Sequence, residues 1–304
     1  MRILVADKIS NDALELLKRS GFDYEFKPEI SPEELLRIIG GFDAIIVRSR
    51  TKVAKEVIDS GHLKVIGRAG VGVDNIDVEA ARAKNIPVLN TPNALTNAVA
   101  EFTIGLMLAL SRKLSAADSS MKNGKWEKGK FLGNELKGKT YGTIGIGKIG
   151  QRVAELAKAF GMNIVANDVI PIPDGLVKRL EIRVSSQDEV FSFSDFVDIH
   201  VPLTKETENL ASYSKFKMMK KNAFIINTSR GKVVNESDLV EALDERLIAG
   251  AALDVFEVEP PNFQDLIRRE NVIATPHIAG QTTEAQNSAG VEIVEAVLRA
   301  LKSP

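Results

Sequence analysis

Three side chains of complementary chemistry stand at comparable places in the second half of the chain: Arg230 before Gly231, Glu259 before Pro260, and His277 after Pro276. Each follows a short apolar run that suits a buried strand: Ala223–Asn227, Gly250–Phe256 and Val272–Ala274. An imidazole titrates near neutrality and suits proton exchange with a hydroxyl group. A carboxylate orients that imidazole and stabilises its protonated form. An arginine grips a substrate carboxylate with a fork of two N–H donors. Jointly the trio supplies what hydride removal from a hydroxy acid requires. Singly, each has a plainer reading: Arg230 as a helix cap, Glu259 as a turn residue, His277 as a surface histidine. Of the other two histidines, His62 reads as a loop residue and His200, at a strand end, as structural. Convergence of the trio is an expectation, because a sequence carries no distances.

A hydride needs an acceptor, and the stretch from Gly138 to Gly150 provides a place for one. Thr140–Ile144 suits a short buried strand, Gly145, Gly147 and Gly150 follow, and Gln151–Phe160 reads as a helix. This is G-x-G-x-x-G between a strand and a helix. The first glycine permits the tight turn, the second lets backbone approach a pyrophosphate, and the third lets helix and strand pack closely. The helix N-terminus then faces the anion. Asp168 ends the next apolar run, Met162–Asn167, at the spacing of an acid that binds a ribose 2′-hydroxyl. A carboxylate there repels a 2′-phosphate, so NAD is expected rather than NADP. The competing reading is a βαβ unit with no nucleotide.

These residues need a frame, and the rest of the chain alternates strand and helix signals. In the first third, Ile3–Ala6, Phe22–Phe26, Asp43–Val47, Lys64–Gly67 and Ile86–Leu89 read as strands. Ser31-Pro32-Glu33-Glu34 starts a helix with a capping box and proline at its first position. Such alternation implies parallel sheets with crossover helices, that is, an α/β fold. Ligands in these sheets sit beyond the carboxyl ends of the strands. Two loops lie there. One carries Arg48, Ser49, Arg50 and Lys52; the other, Arg68–Asn75, is small enough in side chains to offer backbone N–H groups to an anion. A solvated basic loop and a plain turn fit these residue types equally well.

Thr91-Pro92-Asn93 reads as a boundary. Asn97–Leu110 follows as a helix apolar on nearly all sides, expected to lie buried between domains or against a second subunit. Trp126, the single tryptophan, either packs locally or anchors a dimer contact. Beyond Asp168, Phe196–Pro202 reads as a strand and turn, Phe216–Lys220 lies in a short helix, and Asn235–Leu247 is a further helix. A capped helix from about Thr283 to Leu301 closes the chain and must return to the first domain if both termini share it.

The chain of 304 residues suits two domains, and its 44% apolar and 27% charged residues are ordinary for a globular protein. A formal net charge of −1 favours neither nucleic acid nor an anionic membrane as partner. The absence of cysteine excludes disulfides, thiolate catalysis and cysteine–metal sites. No metal site is expected. No apolar run approaches a membrane span and the N-terminal run is too short for a signal peptide, so the cytoplasm is the expected compartment.

Taken together, Val47-Arg48-Ser49, Arg68 to Asp77, Gly145 to Gly150, Asn227 to Gly231, Asp254 to Pro260 and Thr275 to Ile278 resemble the D-2-hydroxyacid dehydrogenases. Within that family they most resemble the branch that oxidises D-3-phosphoglycerate. The matches run through nearly the whole chain in order. The resemblance implies two doubly wound parallel-sheet domains, with an NAD-binding Rossmann domain (93–282) inserted into a flavodoxin-like substrate domain (1–92 plus 283–304). It implies Arg230, Glu259 and His277 as the catalytic group. It implies cofactor contacts from Gly145, Gly147, Lys148, Ile149, Gly150, Asp168, His200, Val201, Pro202, Thr228, Ser229, Arg230, Asp254, His277, Ala279 and Gly280. Lys148, Ile149 and Asp168 would serve the adenosine half, and Asp254 with Thr228–Arg230 the nicotinamide end. Arg48, Ser49, Val71, Gly72, Val73, Arg230 and His277 would hold a small 2-hydroxy acid, a phosphorylated one given the extra cations Arg50 and Lys52. A homodimer or higher homo-oligomer is expected.

The chain departs from the family where Glu257 stands in place of a frequent proline, and where Val71 and Val201 replace threonines sometimes found there. Phosphoglycerate-oxidising members often carry C-terminal regulatory domains that sense serine. The sequence stops at Pro304, after the closing helix, so no serine feedback through such a domain is expected.

Overall fold

The computed structural model describes residues 1–261 and 264–302. The chain divides into two compact units, Met1–Thr96 with Gly280–Pro304, and Asn97–Ala279. Of the substrate-domain segment expected at 283–304, Ser303 and Pro304 lie outside the described residues. Gly280, expected within 93–282, belongs to the first unit. Its carbonyl accepts a hydrogen bond from Gln286 Nε2 at 2.7 Å, and a Cβ there would sit 3.2 Å from the Leu95 side chain.

The first unit holds β1 (Arg2–Val5), β2 (Asp23–Phe26), β3 (Ala44–Val47), β4 (Val65–Arg68) and β5 (Val88–Asn90). They form one parallel sheet in the order β2-β1-β3-β4-β5. Alternate residues feed two separate cores. Leu4, Ile45 and Ile66 face one layer, Ile3, Ile46 and Val65 the other. Burial on both faces is why these strands read as continuous apolar runs. The closing helix, Thr283–Lys302, lies on the second layer and buries Ile293, Val294, Val297, Leu298 and Leu301. Each such side chain contributes about 1.5–3 kcal/mol of transfer free energy. Gly67 is what lets the helix approach β4, because a Cβ at Gly67 would stand 2.6 Å from Val297 Cγ2. Thr282 starts this helix by accepting the Ala285 N–H at 3.1 Å.

The second unit holds β6 (Thr140–Ile144), β7 (Asn163–Asn167), β8 (Arg183–Val184), β9 (Phe196–Ile199), β10 (Phe224–Asn227), β11 (Gly250–Leu253) and β12 (Val272–Ala274). The order β12-β11-β10-β9-β6-β7-β8 is parallel throughout and reverses direction of growth at β6 and β9. Open α/β sheets bind ligands at such a switch point, beyond the strand carboxyl ends. The apolar helix, Thr96–Arg112, is buried along most of its length. Its buried residues Ala100, Ile104, Met107 and Leu110 share a core with Tyr141 and Ile226 of this unit's sheet and with Val153 and Ala154 of the helix Lys148–Ala159. Lys113 then turns the chain with φ 53°, and the helix Leu114–Lys122 buries none of its residues. The short helix expected at Phe216–Lys220 lies earlier, at Tyr213–Phe216. Among the described residues, no helix is long and apolar enough to cross a membrane.

Candidate active site

One cross-strand row of the seven-stranded sheet sets the site. Asn167, Ile144, Ile199, Asn227, Leu253 and Ala274 are in register across β7, β6, β9, β10, β11 and β12. Six loops leave from this row, and they carry Asp168, Gly145, His200, Thr228–Arg230, Asp254 and Thr275–His277. Parallel register thus gathers at one edge residues that the sequence scatters over more than a hundred positions.

The glycine turn behaves as its chemistry requires. Gly145 has φ 86°, and a Cβ on it would lie 2.5 Å from the His200 carbonyl oxygen. A Cβ on Gly150 would lie 2.5 Å from the Gly145 oxygen, so helix and turn touch backbone to backbone. A Cβ on Gly147 would meet nothing within 4 Å. The protein's own packing therefore does not require a glycine at Gly147. Gly147 is also the N-cap of the helix Lys148–Ala159, which begins three residues before the expected Gln151 and has no side-chain cap. An open glycine at an uncapped helix N-terminus fits a pyrophosphate. Asp168, partly exposed at the end of β7, ties back to this turn. Its Oδ2 accepts the Ile146 N–H at 2.7 Å and its Oδ1 the Ile170 N–H at 3.0 Å. A carboxylate so placed retains lone pairs for a ribose diol.

His277 and Glu259 are brought together: His277 Nδ1 lies 2.9 Å from Glu259 Oε2. The Phe256 N–H donates to Glu259 Oε1 at 3.2 Å. With Glu259 ionised, Nδ1 carries the ring proton and Nε2 is left as the acceptor. The hydrogen bond to Glu259 raises the His277 pKa above the ordinary imidazole value; burial opposes it, the Glu259 and Asp254 charges add to it, and Arg230 subtracts. Burial alone would push the Glu259 carboxyl up, but the His277 hydrogen bond and charge, the Phe256 amide and the Arg230 charge hold it below its ordinary value. Arg230 thus acts on both members of the pair.

Two buried residues shape the loops that present this group. Asn227 Nδ2 donates to the Arg230 carbonyl at 2.8 Å, and Asn227 Oδ1 accepts the Ser229 N–H and hydroxyl at 3.0 and 2.9 Å. Thr228 reaches Thr103 hydroxyl to hydroxyl at 3.2 Å. Asp254, fully buried, accepts from Thr275 Oγ1 at 2.6 Å and from the Ile278 and Ala279 amides at 2.8 Å each. Ala279 is itself buried, Val201 is partly exposed and Pro202 exposed. The His200 ring is turned inward, 3% exposed, with Nε2 2.6 Å from Asp198 Oδ2, which also accepts the Tyr141 hydroxyl at 2.8 Å. Asn227 ends β10 and Thr275 follows β12, and neither carries a titratable group, so residue type alone gave no sign of their part in the site.

In the first unit, Arg48, Ser49, Val71, Gly72 and Val73 lie past the carboxyl ends of β3 and β4. Arg48 is half-buried, and that burial lowers its pKa against the pull of Asp7. Its Nη1 and Nη2 reach the Lys8 carbonyl at 3.3 Å and Gln281 Oε1 at 3.5 Å. Arg50, expected as an extra cation for substrate, is engaged within the unit. Its Nε sits 2.9 Å from the buried Asp7 carboxylate, and its Nη1 and Nη2 donate to the carbonyls of Ile30 and Ala6 at 3.1 and 2.6 Å. Lys52 remains exposed.

Residues 104–279 match the family described as "D-isomer specific 2-hydroxyacid dehydrogenase, NAD binding domain", and the chain belongs to that family. In particular it is 46% identical over 304 residues to a D-3-phosphoglycerate dehydrogenase of Methanocaldococcus jannaschii, covering 99% of this chain and 58% of the relative. The chain thus spans little more than half the length of that protein. It is 44% identical to a hydroxypyruvate reductase of Thermotoga maritima over 99% of this chain and 98% of the relative. The crystal structure of a glyoxylate reductase from Paecilomyes thermophila superposes with a TM-score of 0.92 at 28% identity, covering 100% of this chain and 96% of the other.

Proposed function

We propose that this chain oxidises D-3-phosphoglycerate to 3-phosphohydroxypyruvate with NAD, the first step of serine biosynthesis. The observation that carries the chemistry is the 2.9 Å contact between His277 Nδ1 and Glu259 Oε2, on loops that leave the same sheet edge as the glycine turn. His277 Nε2 takes the hydroxyl proton, and Glu259 stabilises the imidazolium that results. Arg230 holds the substrate carboxylate. NAD, when bound, accepts the hydride. Gly145, Gly147 and Gly150 seat its pyrophosphate, Asp168 its adenosine ribose, and Thr228 and Ser229 flank the nicotinamide end. Asp254 acts there through the loop it holds. Arg48 and the Val71–Val73 amides take the phosphate, a reading supported by the similarity to the M. jannaschii relative. We read the protein as cytoplasmic and homodimeric. The exposure of Leu114, Met121, Trp126 and Leu132 within one stretch of the chain, Trp126 and Leu132 at 81% and 84%, supports an interface there.

A second reading is reduction of hydroxypyruvate or glyoxylate by the same residues. The near full-length match to the T. maritima relative favours it, and so does the engagement of Arg50 with Asp7, which removes one of the cations that argued for a phosphate. An NAD(H)-sensing binding protein uses the same fold without turnover, and no interaction motif within the 304 residues supports it. Steady-state rates with 3-phosphoglycerate, glycerate and lactate plus NAD, and with hydroxypyruvate and glyoxylate plus NADH, separate these readings. The proposal expects the highest kcat/KM with 3-phosphoglycerate; a preference for unphosphorylated glycerate and hydroxypyruvate overturns it.

A further inference from the structure

Glu236 is the first residue of the helix Glu236–Asp244 and is 1% exposed. The helix already has a side-chain cap, because Asn235 is the N-cap and accepts the Asp238 N–H at 2.9 Å. Burying a carboxylate is unfavourable, and an apolar side chain of similar volume is generally as stable in such a place. What the carboxylate does is hold another loop. Glu236 Oε1 accepts the Glu257 N–H at 2.7 Å, and Glu257 Oε1 accepts the Glu236 N–H at 2.9 Å. Among the described residues Glu236 Oε2 is buried with no hydrogen-bond partner, and the Glu257 amide is the donor that meets the carboxylate.

That amide belongs to the turn after β11 that carries Glu259. The turn is seated from its other side by Gly231, where a Cβ would lie 1.8 Å from the Phe256 oxygen and 2.5 Å from the Glu257 nitrogen. Phe256, between these two constraints, donates its N–H to Glu259 Oε1 at 3.2 Å. Glu259 Oε2 then meets His277 Nδ1. We propose that Glu236 is a positioning residue, whose buried carboxylate clamps the 256–257 turn and thereby keeps Glu259 aimed at the His277 ring. The inference rests on the reading of His277 and Glu259 as the acid/base pair. Burial, and then the nearby Glu257 charge, push the Glu236 carboxyl up, yet Oε1 accepts the amide whether the group is ionised or not.

The test uses the full chain carrying Glu236→Met, which keeps volume and removes the acceptor, beside Glu236→Gln, which keeps an acceptor. The three histidines are titrated by NMR in ring-labelled protein, with His277 assigned by its loss in His277→Ala. Groups that face His277 and set its titration are Glu259, Asp254 and Arg230. In Glu236→Met the His277 pKa should fall toward the ordinary value of about 6.5, and it should stay raised in Glu236→Gln. Turnover should fall between about 10- and 100-fold in Glu236→Met with NADH affinity unchanged, and largely recover in Glu236→Gln. An unmoved His277 titration in Glu236→Met overturns the proposal, as does an equal fall in both variants. Failure of Glu236→Met to fold also overturns it, because the carboxylate would then support the unit rather than the turn. The NMR readout needs no substrate, so a shifted His277 titration in a protein without dehydrogenase activity upholds the clamp and sinks the acid/base reading instead.

Discussion

Asp254 holds His277 in a left-handed backbone conformation. The His277 N–H donates to the Asp254 carbonyl at 2.8 Å, the next two amides donate to its carboxylate, and His277 sits at φ 53°. A non-glycine residue held there costs on the order of 1–3 kcal/mol and persists only where its surroundings over-determine it. The acid/base candidate is therefore aimed by a buried carboxylate on the neighbouring strand end. Replacing Asp254 by alanine strands two loop amides and the Thr275 hydroxyl, each at about 1–3 kcal/mol if it stays dry. Asp254→Asn keeps one acceptor oxygen. Thermal unfolding should rank wild type above Asp254→Asn above Asp254→Ala, and kcat should fall in the same order. Full activity in Asp254→Ala would contradict this account.

His277→Ala should lower kcat by about two to four orders of magnitude, with NADH affinity altered little. Pre-steady-state hydride transfer and an NADH fluorescence titration separate the two effects. An unaltered rate removes His277 from the proton transfer.

The pH dependence follows from the direction of the two shifts. Oxidation needs a neutral imidazole, so kcat/KM for the hydroxy acid should rise with pH through the raised His277 pKa. Reduction of the keto acid needs the imidazolium and should fall through the same value. Glu259→Gln removes the largest raising influence, so both midpoints should move down. Stability follows the same groups. The raised His277 contributes below about 6.5, its unfolded value, and loses that contribution as pH rises through its folded value. The lowered Glu259 contributes above its unfolded value and loses it as pH falls through the folded one. The melting-temperature gap between wild type and Glu259→Gln should therefore be widest in mildly acidic solution and narrow toward either side.

Gly145 and Gly147 should respond to alanine in opposite ways. Gly145→Ala forces a Cβ to within 2.5 Å of the His200 oxygen at φ 86°, so it should destabilise the fold by more than about 1 kcal/mol. Gly147→Ala meets no protein atom within 4 Å and has an ordinary φ of −65°, so its melting temperature should hold. NADH affinity should nonetheless drop by about tenfold or more, because a methyl group occupies the pyrophosphate approach. Equal NADH affinity in Gly147→Ala would move the pyrophosphate elsewhere.

Arg50 and Arg48 should also divide. Arg50→Met leaves the Asp7 carboxylate without its guanidinium partner and takes a donor from the Ile30 and Ala6 carbonyls, the latter keeping the Thr51 hydroxyl, so it should lower stability by on the order of 1–3 kcal/mol while KM changes little. Arg48→Met should leave the melting temperature nearly unchanged and raise KM for a phosphorylated substrate by about tenfold or more. Unfolding curves and steady-state kinetics on the two variants check both halves.

Whatever depends on neighbours in the chain was legible in the sequence. The strand Thr140–Ile144, the glycine spacing, Asp168 and the closing helix from Thr283 follow from local periodicity, cap chemistry and backbone freedom. The candidate trio was legible as residue types at strand ends, because parallel strands deliver their loops to one edge. What only the tertiary structure decided are pairings across strands. Register sets the distance between His277 and Glu259, turns Asn227 and Glu236 from plain polar residues into supports of the site, and gives Asp254, expected at the nicotinamide end, the part of holding the His277 loop. It also spends the Arg50 charge on Asp7, since the sequence shows that a cation is present but not which anion it meets.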